Sequence, residues 1–264
     1  MSLSFIIINY NTYELTCKCI ESLYQYNDGF EYEVILVDNA SKECNPDLFK
    51  EKFPNIILIK SDTNLGFAGG NNIGIQHAKY DTFLLLNSDA YLIDNSTTIG
   101  LKKIQEDKNI GVLTGKLIFE DGRYQYNCQS FPSWQKLLVE KLRLQKLMPK
   151  NWRSSYIQGF YFDSEKEGYP DWIWGAYFMF RRDVLEKLPN QKLDDELFMY
   201  GEDRLWCYQI RQLGYEIYYT PQIVVKHKQG GSSANAKKFI VEHEKDFLNK
   251  YYSKIAKKLI KLLS

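Results

Sequence analysis

Short, uninterrupted apolar runs recur through the first third of the chain: Phe5-Ile6-Ile7-Ile8, Val34-Ile35-Leu36-Val37, Ile56-Ile57-Leu58-Ile59 and Phe83-Leu84-Leu85-Leu86. A strand that is apolar at every position must be covered on both faces. The stretches between the runs read as helices. Residues 12–26 carry Leu15, Cys19, Ile20 and Leu23 at helical spacing, with Thr12 as a candidate N-cap. Strands alternating with helices predict an α/β fold whose mostly parallel sheet is covered by helices.

In such sheets ligands sit at the carboxyl ends of the strands. Polar residues collect at those ends here. Asn9-Tyr10-Asn11 follows the first run, Asp38-Asn39-Ala40-Ser41 the second and Asn87-Ser88-Asp89 the fourth. Asn9, Asp38 and Asp89 are therefore expected to line one crevice. A loop rich in Gly and Asn is read over 64–74, where Gly66, Gly69 and Gly70 would let backbone approach a ligand and Asn71 and Asn72 would offer neutral donors and acceptors. A tight turn packed on the sheet is the structural alternative for that loop. It fits neither the dinucleotide fingerprint nor the ATP-binding P-loop.

The second half reads less regularly. Residues 134–152 alternate Lys and Arg with Leu and are read as one helix. A strand is expected over 174–180, short helices over 183–188 and 204–213, the latter closed by Gly214, and two strands, 216–220 and 223–225, broken at Pro221. From Lys237 onward Lys interleaves with Phe239, Ile240, Phe247, Leu248, Ile255 and Leu259, which predicts a basic amphipathic helical tail. The expected boundaries are a domain over 1–235, with halves of about 1–120 and 121–235, and a tail over 236–264.

Composition excludes several classes. A net charge of +1 gives no field to attract nucleic acid. Cys17, Cys19, Cys44, Cys128 and Cys207 show no metal-binding spacing and fit a reducing compartment. Neither a leader peptide nor a membrane span is read, so a cytoplasmic chain is expected, with peripheral contact of the basic tail on an anionic membrane face. Tyr and Trp are abundant, at 20 and 5 residues, and suit stacking on bases and sugar rings; an AT-rich coding bias would produce the same excess.

The ordered series Ile8-Asn9-Tyr10-Asn11, Val37-Asp38-Asn39-Ala40-Ser41, Asn64-Leu65-Gly66-Phe67-Ala68 with Gly70-Asn71-Asn72, Leu86-Asn87-Ser88-Asp89, Trp174-Gly175-Ala176, Phe198-Met199-Tyr200-Gly201-Glu202-Asp203 and His227 resembles the family 2 glycosyltransferases of the GT-A fold, especially the rhamnosyltransferase-like branch of bacterial polysaccharide synthesis. The resemblance covers roughly residues 4 to 230. It implies a sugar transferred with inversion from a UDP- or dTDP-sugar to a saccharide or polyprenyl-linked acceptor.

The resemblance also implies roles. Asp38 would bind the base ring, flanked by Asn9, Tyr10 and Asn39, although an Asx-turn explains Asp38 as well. Gly66, Asn71 and Asn87 would serve the nucleotide sugar. Asn87-Ser88-Asp89 stands where the family has its metal-binding DxD motif, and the first acid is missing. Asp89 and His227 would then hold a divalent Mn or Mg ion against the diphosphate charge. Asp203 would be the general base, with Glu202 as its alternative; helix-end stabilisation is the bland reading of both. The cluster Asp194-Asp195-Glu196 reads as rim or acceptor contact. Trp172, Trp174, Gly175 and Ala176 would shape the donor–acceptor junction. Arg204 and Arg211 could face diphosphate or solvent.

One rival is rejected and one remains in view. A sugar nucleotidylyltransferase would carry its Gly-rich loop after the first strand, where Asn9-Tyr10-Asn11 stands instead. A non-catalytic sugar-binding module would explain the altered DxD, but leaves Glu202, Asp203 and His227 without a purpose.

Overall fold

The computed structural model describes residues 1–228 and 236–263. The strands are β1 Ser2–Asn9, β2 Glu31–Asp38, β3 Ile57–Lys60, β4 Thr82–Asn87, β5 Ala90–Leu92, β6 Ile110–Ile118, β7 Cys128–Gln129, β8 Trp172–Ile173, β9 Tyr177–Arg181 and β10 Glu216–His227. The helices are α1 Tyr13–Tyr26, α2 Asp47–Lys52, α3 Gly66–His77, α4 Thr97–Glu106, α5 Trp134–Lys141, α6 Lys150–Tyr156, α7 Arg182–Leu185, α8 Glu202–Gln212, α9 Ala236–Tyr251 and α10 Lys254–Leu263.

The main sheet has eight strands in the order β3-β2-β1-β4-β9-β6-β10-β5. The pairs β1–β2, β1–β4, β2–β3 and β6–β10 are parallel, whereas β9 runs antiparallel to both β4 and β6, and β5 antiparallel to β10. Alternate residues of each central strand enter opposite cores. Phe5, Ile7, Leu84, Leu86, Tyr177 and Met179 join one core with α1, α2 and α4. Ile6, Phe83, Leu85, Phe178 and Phe180 join the other with α3 and α8. Uninterrupted apolarity in the sequence is thus the direct consequence of helices on both faces.

Several sequence expectations are corrected. The segment read as a loop over 64–74 is mostly helix α3. Its glycines are there because the helix lies directly on the sheet: a Cβ at Gly70 would stand 3.1 Å from the Ile8 side chain, and one at Gly74 only 2.5 Å from that of Ile6. Poor helix propensity is offset by this close packing. The run Ile56–Ile59 gives the edge strand β3, half covered rather than buried, with Ile57 exposed. Residues 134–152 are not one helix: α5 stops at Lys141, Arg143 takes the left-handed conformation (φ 56°) and Pro149 precedes α6.

The expected strand over 174–180 begins only at Tyr177. Residues 174–176 form a connection from the small β7–β8 ribbon. Pro221 does not end a strand. β10 runs through it, and its register against β6 shifts between Thr220 and Val224, a bulge that accommodates the missing donor. The tail is two helices, parted where the Ser253 hydroxyl accepts from the Ala256 N–H at the head of α10.

Candidate active site

At the carboxyl ends of β1, β2 and β4 lies a cavity of about 710 Å³. One side is walled by Tyr10, Asn11, Thr12, Asn39, Asn64, Gly66 and Phe67, the floor by Asn87, Ser88, Asp89 and His227, and the other side by Trp172, Trp174–Ala176, Met199–Arg204 and, from α9, Ile240 and Glu244. Of the expected site residues, Tyr10, Asn39, Gly66, Asn87, Asp89, Trp172, Trp174, Gly175, Ala176, Glu202, Asp203 and His227 come together here.

Asn9, Asp38 and Asn71 do not line the cavity. Asn9 Nδ2 donates to Asp38 Oδ2 at 2.7 Å, and the Ser41 N–H donates to Asp38 Oδ1 at 3.0 Å, so the Asx-turn is present. Asn9 Oδ1 accepts from the hydroxyls of Thr12 and Thr16. Asn71 is wholly buried and donates back to the Phe67 carbonyl. Asn39 reaches into the wall instead: it donates to Asn64 Oδ1 (2.9 Å) and the Gly66 carbonyl (3.0 Å), and accepts from the Leu65 N–H. This ties the end of β2 to the head of α3. Gly66 is needed at that point. Its φ is +73°, and a Cβ would fall 2.1 Å from the Phe198 carbonyl oxygen.

Asp89 and His227 are far apart in sequence, and the antiparallel pairing of β5 with the end of β10 sets Ala90 opposite His227. His227 Nε2 lies 3.3 Å from Asp89 Oδ1, and Asn87 Nδ2 lies 3.4 Å from the same nitrogen. His227 Nδ1 is 2.7 Å from Gln125 Oε1; a proton on Nδ1 makes that contact a hydrogen bond, and Nε2 is the ring nitrogen turned toward Asp89. An imidazole nitrogen and a carboxylate oxygen at that distance either bond each other through a proton on Nε2 or share a cation as neighbouring ligands. A side chain that fixes the tautomer of a ligating imidazole is the usual outer partner of a metal site. The donor set therefore fits a hard or borderline divalent cation completed by oxygens of a bound diphosphate. Protein ligands alone are few: the described residues gather no group of three or more His, Cys, Asp or Glu able to hold a metal. Gln125, buried and donating its amide to the His227 carbonyl, was missed by sequence reasoning because nothing local marks it.

The acid pair opens α8. Gly201 precedes it with φ +100°, which turns the chain into the helix. Asp203 Oδ2 accepts from the Gly175 N–H at 3.2 Å and Oδ1 from the Arg204 N–H at 2.8 Å. Burial pushes both carboxyls above the ordinary carboxylate range, and in Glu202 the adjacent Asp203 charge adds to the effect. The Arg204 and Gly175 N–H groups counter part of that rise at Asp203, while Glu202 Oε2 is buried without a partner. Proton loss is therefore easier at Asp203 than at Glu202.

Arg211 pairs with Glu216 at 3.5 Å and does not line the cavity. Asp194 and Asp195 serve structure: the Asp194 carbonyl accepts from Trp206 Nε1, and Asp195 pairs with Lys192.

Comparison with known proteins agrees with this architecture. The mannosyltransferase PcManGT of Pyrobaculum calidifontis, solved with GDP-Man and Mn2+, superposes with a TM-score of 0.63 at 17% identity, covering 99% of this chain and 68% of that one. GalNAc-T7, solved with UDP, GalNAc and Mn2+, gives 0.61 at 18% identity over 93% of this chain and 50% of that one. The fold is GT-A. In sequence, the poly(ribitol-phosphate) beta-glucosyltransferase of Bacillus spizizenii is 30% identical over 128 residues, 47% of this chain and 20% of that protein. The low-salt glycan biosynthesis hexosyltransferase Agl10 of Haloferax volcanii is 26% identical over 220 residues, 80% of this chain and 62% of its own. The chain thus spans only part of the length of these relatives. The profile described as Glycosyl transferase family 2 matches residues 4–189, well over half of the 264, and the chain belongs to that family.

Proposed function

We propose that the protein is an inverting glycosyltransferase that moves a hexosyl or deoxyhexosyl group from a UDP- or dTDP-sugar to a hydroxyl of a saccharide or lipid-linked saccharide, in cell-surface polysaccharide synthesis. The observation that carries this reading is the Asp203 carboxyl, held by the Gly175 N–H, in the same cavity as the facing Asp89–His227 pair. Asp89 and His227 would hold a divalent cation, which when bound offsets diphosphate charge. Tyr10, Asn39, Asn64 and Gly66 would receive the nucleoside, with Asn9 and Asp38 bracing that wall from behind. Trp172, Trp174, Gly175 and Ala176 would frame the sugar ring.

The acceptor oxygen attacks the anomeric carbon as its proton passes to Asp203, and the bond from that carbon to the diphosphate oxygen breaks with its electrons leaving on the nucleoside diphosphate. One displacement inverts the centre, so a single carboxylate suffices. Incubation with a panel of UDP-, dTDP- and GDP-sugars, reading released nucleoside diphosphate, tests the proposal. Release from one UDP- or dTDP-sugar, accelerated by a saccharide acceptor, is expected. Sugar-nucleotide binding with no release for any acceptor would instead identify a binding module.

We further propose that the tail meets an anionic membrane on the cytoplasmic face. Among the described residues no helix is long and apolar enough to cross a membrane. Leu147, Ile255 and Leu262 are nonetheless more than 70% exposed, and α10 packs on α5 amid Lys141, Arg143, Lys254 and Lys258. Exposed apolar side chains on basic helices suit such a bilayer. Full-length protein is expected to sediment with vesicles containing anionic lipid and not with neutral ones. The double variant Lys254→Glu, Lys258→Glu should stay largely in the supernatant; equal pelleting of the two proteins would count against this surface.

A further inference from the structure

Arg204, in the first turn of α8, is 8% exposed and lines the cavity. Its guanidinium carbon lies 4.7 Å from the centroid of the Phe247 ring, and its Nε is buried without a hydrogen-bond partner. Among the described residues no carboxylate oxygen comes within the 4.0 Å of an ion pair with it. Glu244 and Asp203 favour its charged form only through space, and burial holds its pKa below the usual value. A buried charge left unpaired is expensive.

Two other polar atoms on the same wall are stranded in the same way. The Tyr200 hydroxyl and Glu202 Oε2 are buried without partners, and both residues line the cavity. Tyr200 is also held at φ +68°, a strained conformation for a bulky side chain. Three side chains that each carry an unpaired buried atom, two of them donors and one a carboxyl oxygen, thus line one large cavity, the complement of a ligand rather than a finished core.

The sign of that ligand follows from the guanidinium, and its position follows from the walls. Asp89 and His227, the pair suited to a cation and the donor diphosphate, lie on the floor. Arg204 belongs instead to α8, where its guanidinium stacks on Phe247 of α9 and its backbone N–H donates to the proposed base Asp203. We propose that Arg204 binds an oxyanion, phosphoryl or carboxylate, carried by the acceptor, so that the enzyme glycosylates a negatively charged saccharide or polyol. This rests on the sugar-transfer reading of the cavity.

Calorimetric titration of the full chain, with UDP and Mn2+ present to fill the donor side, tests it with glycerol 3-phosphate, glucuronate and glucose as probes. One of the two anions is expected to bind at least about tenfold more tightly than glucose, as a charge-assisted hydrogen bond warrants. Whichever anion wins identifies the group. Arg204→Met keeps the packing stem and removes the charge, so it should erase the preference, leave UDP affinity unchanged and melt at or above the wild-type temperature. Arg204→Lys should retain part of the preference. Equal binding of anions and glucose by the wild type, a preference that survives in Arg204→Met, or a parallel loss of UDP affinity would each overturn the proposal. Failure of both variants to fold would do so too, by assigning Arg204 to the core. A wild-type protein that binds neither UDP nor dTDP defeats the sugar-transfer reading itself, and the acceptor proposal falls with it.

Discussion

Asp203→Asn is expected to lower sugar transfer by roughly 10²–10⁴ while nucleotide affinity stays near wild type. The amide keeps the size and its one oxygen can still accept from either the Gly175 or the Arg204 N–H, but it cannot take the acceptor proton. The proposed diphosphate side, at Asp89 and His227, is untouched. Wild-type turnover in this variant, with Glu202→Gln dead, would move the base by one residue. Activity in both would reduce the acid pair to a helix cap.

The same pair sets the pH dependence. Burial raises both carboxyls in the folded protein. The folded state therefore holds these protons more tightly than the unfolded chain. Their contribution to stability is full below the unfolded carboxylate range and is lost as pH rises through the folded values. The proposed catalysis runs the other way, because Asp203 must be ionised to take the acceptor proton. The acidic limb of kcat/KM should lie above the ordinary aspartate range, and Glu202→Gln should lessen the fall in Tm toward alkaline pH.

Asp89→Ala is expected to weaken Mn2+-dependent binding of UDP or dTDP by at least ~10–100-fold, the loss that even an outer partner of a metal site produces. It removes the one carboxylate on the floor that faces His227 Nε2. Gln125→Leu frees the imidazole tautomer and should fall within that same range. Calorimetry with and without Mn2+ checks both variants. Unchanged affinity in Asp89→Ala under both conditions would remove the metal from the proposed mechanism.

The half of the fold built from β1, β2 and β4 was legible because uninterrupted apolar runs have few solutions other than a strand covered on both faces. The polar residues after those strands were legible as a crevice for the same topological reason. What was lost came from packing between distant segments. Gly66, Gly70 and Gly74 look like a loop because the reason for them, contact with Ile8, Ile6 and Phe198, lies elsewhere in the chain. Asp38 and Asn9 follow strand ends, as a ligand-binding residue would, yet they turn inward to each other. Gln125 and the α9 residues Ile240 and Glu244 carry no local motif, and only the closed fold brings them to the site. Asp89 and His227 were paired through resemblance; their contact depends on the short strand β5, which no periodicity announces.

The reversed strand β9 has a consequence for how the chain is made. It supplies the hydrogen-bonded seam between β4 on one side and β6 on the other. When a ribosome has released residues only to about 120, the blocks β3-β2-β1-β4 and β6 exist, but nothing joins them. Phe83, Leu85, Val112 and Leu113, all buried in the finished protein, then flank open ladder edges, the kind of surface that templates aggregation. The nascent protein must wait for Tyr177–Arg181 to close that gap, and β10 must follow to cover the far side of β6. Native pairing is therefore long-range and late, which predisposes the chain to slow folding and to dependence on chaperones during synthesis. A soluble fragment of the nucleotide half cannot be cut at the point where its last cavity residue appears; the boundary has to lie beyond His227.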